Sequence, residues 1–128
     1  MRRIRILLVE DDAIISELVA ELLAVLGHDV CGTAVTELEA IDAAGVHTPD
    51  LMIVDVYLRA GSGVSAMSII HRRTAMPHIF MTGGPRHIIP KDAVVLHKPF
   101  GLASLTRALD SVAWQIAPAL PGSAHLKQ

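Results

Sequence analysis

Cysteine is nearly absent from this chain: Cys31 stands alone, so neither an intrachain disulfide nor a cysteine-built metal site is available. A lone thiol in an apolar stretch reads as a small core residue rather than a redox centre. Aromatic residues are almost as scarce, with one Trp, one Tyr and two Phe, so any core must be aliphatic. Charge of one sign is missing as well. Lys and Arg number 11 against 13 Asp and Glu, a net charge of −2 with histidine neutral. No basic excess exists to bind nucleic acid. Long hydrophobic runs are also lacking. Met1-Arg2-Arg3 is basic, but the apolar run after it, Ile4 to Val9, is broken by Arg5 and ends at three acids. It is too short for a signal-peptide core and far below the ~20 residues of a membrane span. These absences leave the expectation of a cytoplasmic protein with no membrane or nucleic-acid partner.

What is present suffices for one core. The 128 residues are 52% hydrophobic, and that length fits one domain. Short aliphatic runs alternate with segments of helical period. Ile4–Val9 predicts a buried strand ending at Glu10-Asp11-Asp12. From Ala13, Ile14, Leu18, Leu22 and Leu26 recur every fourth position, flanked by Ile15, Val19 and Leu23, which predicts an amphipathic helix. Asp12 is placed to cap it and Gly27 to stop it. Asp29–Ala34 reads as a second strand. Thr36 caps a second helix with Leu38, Ile41 and Ala44–Gly45 inward.

Leu51–Val54 is a continuous apolar run ending at Asp55, as in a strand covered on both faces. Gly61-Ser62-Gly63 turns into a third helix with Val64, Met67 and Ile70 inward, ending near His71-Arg72-Arg73, basic residues that suit a helix C-terminus. Strands follow at Pro77–Met81 and Ala93–His97. The last helix is expected from about Gly101 to Ile116, with Leu102, Leu105, Leu109, Val112 and Ile116 on one side. Between Thr82 and the fifth strand, Pro85 and Pro90 forbid a long helix, leaving at most one turn around Arg86–Ile89. The seven histidines lack metal-ligand spacing and read as surface or loop residues.

Alternating strands and helices imply right-handed crossovers and a parallel sheet with helices on both faces. Five strands point to the flavodoxin-like α/β order 2-1-3-4-5, with a shortened fourth helix. The expected domain spans residues 1–117, followed by a flexible tail over 118–128.

In such a sheet, ligands bind beyond the carboxyl ends of the strands. Those ends carry Glu10 and Asp11, then Asp55, then Thr82, then Lys98. Crowded carboxylates repel one another, and a hard divalent cation relieves the repulsion; Mg²⁺ favours one or two carboxylates with water and phosphate oxygens. Asp55 is then the candidate nucleophile on phosphorus, with Lys98 neutralising equatorial charge and the Thr82 hydroxyl donating a hydrogen bond. At Gly83 a larger side chain would stand in the path of an incoming phosphoryl group.

Leu7-Leu8-Val9-Glu10-Asp11-Asp12, Asp50-Leu51-Met52-Ile53-Val54-Asp55, Met81-Thr82-Gly83 and Lys98-Pro99-Phe100 resemble the four motifs of the bacterial two-component response-regulator receiver (CheY-like) family. The resemblance covers residues 4 to about 116. It implies that Asp11 holds Mg²⁺ directly and Glu10 mainly through water, that Asp55 is the phosphoacceptor, and that the backbone carbonyl of Tyr57 is a further metal ligand. It implies that Thr82 is the switch hydroxyl, Lys98 the phosphoryl-binding lysine, and Lys98-Pro99 a cis bond aiming that lysine into the site.

Two positions depart from the usual family pattern. Val95 stands where an aromatic switch residue is common, and the segment Gly84–Asp92 is too short for the usual fourth helix. Together with Phe80-Met81-Thr82-Gly83, these features resemble the alphaproteobacterial single-domain variant with a Phe-x-Thr-Gly motif. The Gly83–Asp92 loop then becomes the candidate carrier of the signal.

The implied function is a stand-alone phosphoacceptor, charged by a histidine kinase or histidine phosphotransfer protein. It would signal by protein contact or act as a phosphate sink, catalysing only its own phosphotransfer and dephosphorylation. A homodimer would use the face built from the 83–92 loop, the fifth strand and the last helix. Two alternatives are a receiver-like scaffold without phosphorylation, and an Asp-nucleophile phosphohydrolase of the haloacid-dehalogenase kind. The latter needs a second acid two residues after the nucleophile, where Tyr57 stands.

Overall fold

The computed structural model describes residues 2–118. Five parallel strands, β1 (Arg5–Val9), β2 (Asp29–Ala34), β3 (Leu51–Asp55), β4 (His78–Thr82) and β5 (Val95–His97), form one sheet in the order β2-β1-β3-β4-β5. Among the described residues, four α-helices, α1 (Ala13–Val25), α2 (Glu37–His47), α3 (Gly63–Arg73) and α4 (Leu102–Val112), cover it. The expected strand order therefore stands. Because side chains alternate along each strand, the sheet carries two cores. Leu7, Val9, Met52, Val54 and Phe80 pack under α2 and α3. Ile6, Leu8, Ile53, Ile79, Met81 and Leu96 pack under α1 and α4. Among the described residues, no helix is long and apolar enough to cross a membrane.

The caps follow the sequence. Asp12 Oδ1 accepts from the N–H groups of Ile14 (2.9 Å) and Ile15 (3.3 Å), and Thr36 Oγ1 accepts from Glu39 N at 3.1 Å. Gly27 ends α1 at φ +86°, where a side chain would be strained.

The helix faces need correction. A row at every fourth position drifts by about 40° per step around a helix, so Ile14 and Leu18 swing outward, 80% and 51% exposed. Val19 and Leu23 fill the core instead. On α2, Leu38 is exposed and Ala40 takes the inward place beside Ile41 and Ala44. The last helix stops at Val112 and tightens into a 3₁₀ turn, Ala113–Gln115, before Ile116. Strand β5 is three residues long because Ala93 N bonds back to Pro90 O, although Val94 O still accepts from Phe80 N. No fourth-strand crossover helix forms: the segment after β4 holds two hydrogen-bonded turns, one in which Ile89 N donates to Arg86 O at 3.0 Å and the Pro90–Ala93 turn, and Ile89 is buried. The expected tail lies, from residue 119 on, outside the described residues.

The histidines are not all surface residues. His28 is buried, and its Nδ1 accepts from the N–H of Ile4 at 3.2 Å, one residue before β1 begins pairing with β2. His47 lies against Gly32, where a Cβ would come within 2.6 Å of its ring. Burial lowers the pKa of His28 below its ordinary 6.5. The unfolded chain then takes up a proton that the folded protein refuses, so stability falls as pH drops through 6.5 toward the native value. His28→Asn keeps an acceptor for Ile4 without titrating. Urea midpoints at about pH 7.5 and about pH 5.5 should show the wild type losing ground to this variant at the lower pH. An equal difference at both would contradict the assignment.

Candidate functional site

The carboxyl ends of β1, β3, β4 and β5 meet at one crevice because parallel strands all point the same way. Glu10 follows β1 and is 2% exposed, yet it carries a carboxyl group that burial penalises. Three contacts hold it: its N–H donates to Ala34 O (3.0 Å), its Oε2 accepts from Asp12 N (3.2 Å), and its Oε1 accepts from Lys98 Nζ (2.5 Å). Asp55 ends β3, 5% exposed. Its Oδ2 accepts from Lys98 Nζ at 2.8 Å and its Oδ1 from Tyr57 N at 3.3 Å. Carboxylate oxygens of Glu10, Asp11 and Asp55 all lie within 4.8 Å of one another.

Lys98 reaches this cluster because its own N–H is tied to Thr82 O at 2.9 Å; the Lys98-Pro99 peptide bond is cis. Thr82 is fully buried, and its Oγ1 accepts from Gly84 N at 3.0 Å, which leaves the hydroxyl proton to be donated. A Cβ at Gly83 would meet only Lys98 Cβ, at 3.7 Å, so nothing within the protein forbids a side chain there.

The electrostatics are those of an acid cluster short of cations. Burial, reinforced by Asp55, pushes the Glu10 carboxyl up to about 7, although the bonds from Lys98 and Asp12 N pull the other way. Burial would lower Lys98, but its pairs with Asp55 and Glu10 outweigh that and leave it above the ordinary lysine value. Three clustered carboxylates, two of them bonded to the Lys98 ammonium, make a donor set that suits a hard divalent cation.

The loop after Asp55 is pinned by residues that sequence reasoning did not single out. Glu37, at the start of α2, accepts from Ser62 N (3.0 Å) and Ser65 Oγ (2.8 Å). Its own N–H donates to Ala60 O at 3.0 Å. The one sequence cue for Glu37 was an acid in the first turn of a helix, which ordinarily means no more than a favourable dipole. Gly63 fits where nothing else does: a Cβ there would stand 2.1 Å from Asp55 O and 2.6 Å from Val54 Cγ1. Backbone cannot yield as a flexible side-chain end can. Gly63→Ala should therefore cost about 3 kcal/mol and about 10 °C in Tm. Gly45→Ala is the control, an open helical position where Ala should gain roughly 0.5–1 kcal/mol. Equal melting temperatures for Gly63→Ala and wild type would refute the packing argument.

An open 2-1-3-4-5 sheet with an acid cluster and a lysine at its carboxyl edge defines a receiver-type α/β domain. The chain belongs to the response regulator receiver domain family, whose model matches residues 6–110. It is 33% identical to the transcriptional regulatory protein PdtaR of Mycobacterium tuberculosis over 112 residues, covering 83% of this chain and 55% of that protein. It is 32% identical to the phyllosphere-induced regulator PhyR of Methylorubrum extorquens over 110 residues, covering 81% of this chain and 41% of that protein. The chain thus spans about half the length of these curated relatives. The solution structure of the PhyR response regulator receiver domain of Erythrobacter litoralis superposes with a TM-score of 0.81 at 27% identity, covering 92% of this chain and 96% of that one. Receiver domains of such regulators are signalling domains rather than enzymes with a separate substrate.

Proposed function

We propose that this receiver accepts a phosphoryl group on Asp55 from a histidine kinase or histidine phosphotransfer protein and signals through phosphorylation-dependent protein contact. The observation that carries the reading is the convergence of Glu10, Asp11 and Asp55 within 4.8 Å, with Lys98 bonded to two of them. A bond forms from an Asp55 carboxylate oxygen to phosphorus while the bond from phosphorus to the donor breaks, its electron pair leaving with the donor's nitrogen or oxygen. Lys98 offsets charge on the transferring group, and the Thr82 hydroxyl proton is available to one of its oxygens. Glu10, Asp11, Asp55 and the Tyr57 carbonyl would hold Mg²⁺, which supplies charge neutralisation to the phosphoryl oxygens.

An apolar groove of about 320 Å³ opens beside Lys98, lined by Ile15, Leu18, Leu22 and Phe100 among others; it supports a protein rather than a free metabolite as donor. Phe80-Met81-Thr82-Gly83 and the helix-free segment after β4 support the Phe-x-Thr-Gly variant within the family. Tyr57 offers no carboxyl as general acid, and its hydroxyl is spent on Pro85 O, which disfavours a phosphohydrolase.

The test is intact-protein mass spectrometry after incubation with Mg²⁺ and a small phosphodonor. One added phosphoryl group, labile to alkali, is expected. Rapid multiple turnover of an unrelated phosphoester would favour a hydrolase. No adduct from any donor, including a phosphohistidine protein, would favour a scaffold.

A further inference from the structure

The segment after β4 has neither a helix to shift nor an aromatic residue at position 95: Val95 is a small side chain packed against the core. A phosphoryl signal must therefore reach this segment by another route. Tyr57, 42% exposed, is joined to both the site and the loop. Its N–H donates to Asp55 Oδ1 at 3.3 Å, and its hydroxyl donates to Pro85 O at 3.1 Å. Its ring covers Gly84, where a Cβ would lie 3.3 Å from Tyr57 Cε2 and 3.9 Å from Thr82 Oγ1. Gly84 N in turn donates to that same Thr82 oxygen. Farther along, the segment is next anchored by the turn at Arg86–Ile89 and the burial of Ile89.

We propose that Tyr57 is a latch: its hydroxyl holds the 83–92 loop closed in the unphosphorylated protein, and phosphorylation of Asp55 releases it. The release step rests on the phosphoacceptor reading above. Both supports of the latch change when Asp55 is esterified. The oxygen that receives the Tyr57 N–H belongs to a carboxylate before transfer and to a neutral acyl group after it, a poorer acceptor. Thr82, turning its hydroxyl toward the phosphoryl group, draws on Gly84, the residue beneath the Tyr57 ring. A single half-exposed hydrogen bond suits this role, since a modest bond can be broken by a modest change elsewhere. Glycine at 84 suits it too, because a side chain there would press on the ring.

Tyr57→Phe removes the hydroxyl and keeps the ring and backbone. Amide hydrogen exchange of Gly84, Arg86, His87, Ile88 and Ile89 is followed in both proteins, free and at saturating beryllium trifluoride with Mg²⁺. Saturation is judged in each protein from the Asp55 and Val56 amides. In the free state the variant's loop should exchange roughly 2- to 10-fold faster than the wild type. Beryllium trifluoride should speed the wild-type loop by a clearly larger factor than the variant's loop, which has no hydroxyl bond left to release. Free-state exchange at the wild-type rate in the variant overturns the latch. An equal loop response to beryllium trifluoride in both proteins overturns the coupling. If the Asp55 amide does not respond in either protein, the phosphoacceptor reading falls and the release step with it, while the free-state comparison still decides whether the hydroxyl holds the loop.

Discussion

Asp55→Asn is expected to abolish the phosphoryl adduct while leaving a folded domain. Asparagine has the same shape, and its single carbonyl oxygen can still accept from Tyr57 N or from Lys98 Nζ, although its NH2 cannot replace the second acceptor. It lacks the carboxylate oxygen needed to form the acyl phosphate. The substitution also removes one of the groups that push Glu10 upward, so the cluster loses repulsion and the fold should not suffer. Mass spectrometry under the conditions that label the wild type should show no added mass, and urea denaturation should give a midpoint no lower than wild type. An adduct of undiminished yield in Asp55→Asn would move the phosphoacceptor to another side chain. Asp11 and Glu10 are the carboxylates nearest by.

Lys98→Gln is expected to slow adduct formation by about 10²–10³-fold, the range seen when a donor aimed at developing transition-state charge is removed. Lys98 Nζ bridges Glu10 and Asp55 at 2.5 and 2.8 Å. It is the ammonium within reach of Asp55, and its own backbone is fixed to β4 through Thr82 O. Glutamine preserves length and a donor but not the charge. Lys98→Arg returns the charge on a planar, bulkier group and should recover only part of the rate. The measurement is the initial rate of phosphorylation against phosphodonor concentration, with circular dichroism to establish folding. A Lys98→Gln rate within threefold of wild type would reduce the lysine to a structural ion-pair partner.

Much of this site was readable from the chain because it lies where runs of apolar residues end. Four such runs stop at Glu10, Asp55, Thr82 and Lys98, and a parallel sheet brings such stops to one edge. The short-range caps at Asp12 and Thr36 were readable for the same reason: their partners lie within three residues. Contacts between residues distant in the chain were not. Glu37 on Ser62 and Ser65, Tyr57 on Pro85, and His28 on Ile4 each join segments at least 24 residues apart. Nothing in local spacing announces them. Helix faces were readable only in part, since Ile14, Leu18 and Leu38 fit an apolar stripe yet face outward. Which apolar residue is inward depends on where the helix axis crosses the sheet.

The sequence by itself determined the alternation of strands and helices, the parallel sheet, and the acids, hydroxyl and lysine at its carboxyl edge, because period, run length and caps are local properties. It also determined that two prolines leave no room for a helix after β4. Only the tertiary structure decided that Lys98 bridges Glu10 and Asp55, that Gly63 must lack a side chain against Asp55 O, and that Tyr57 ties the site to the loop. Those facts are set by how the sheet twists and how its loops close over one another, and separations of a few ångströms between distant segments exist only once the chain has packed.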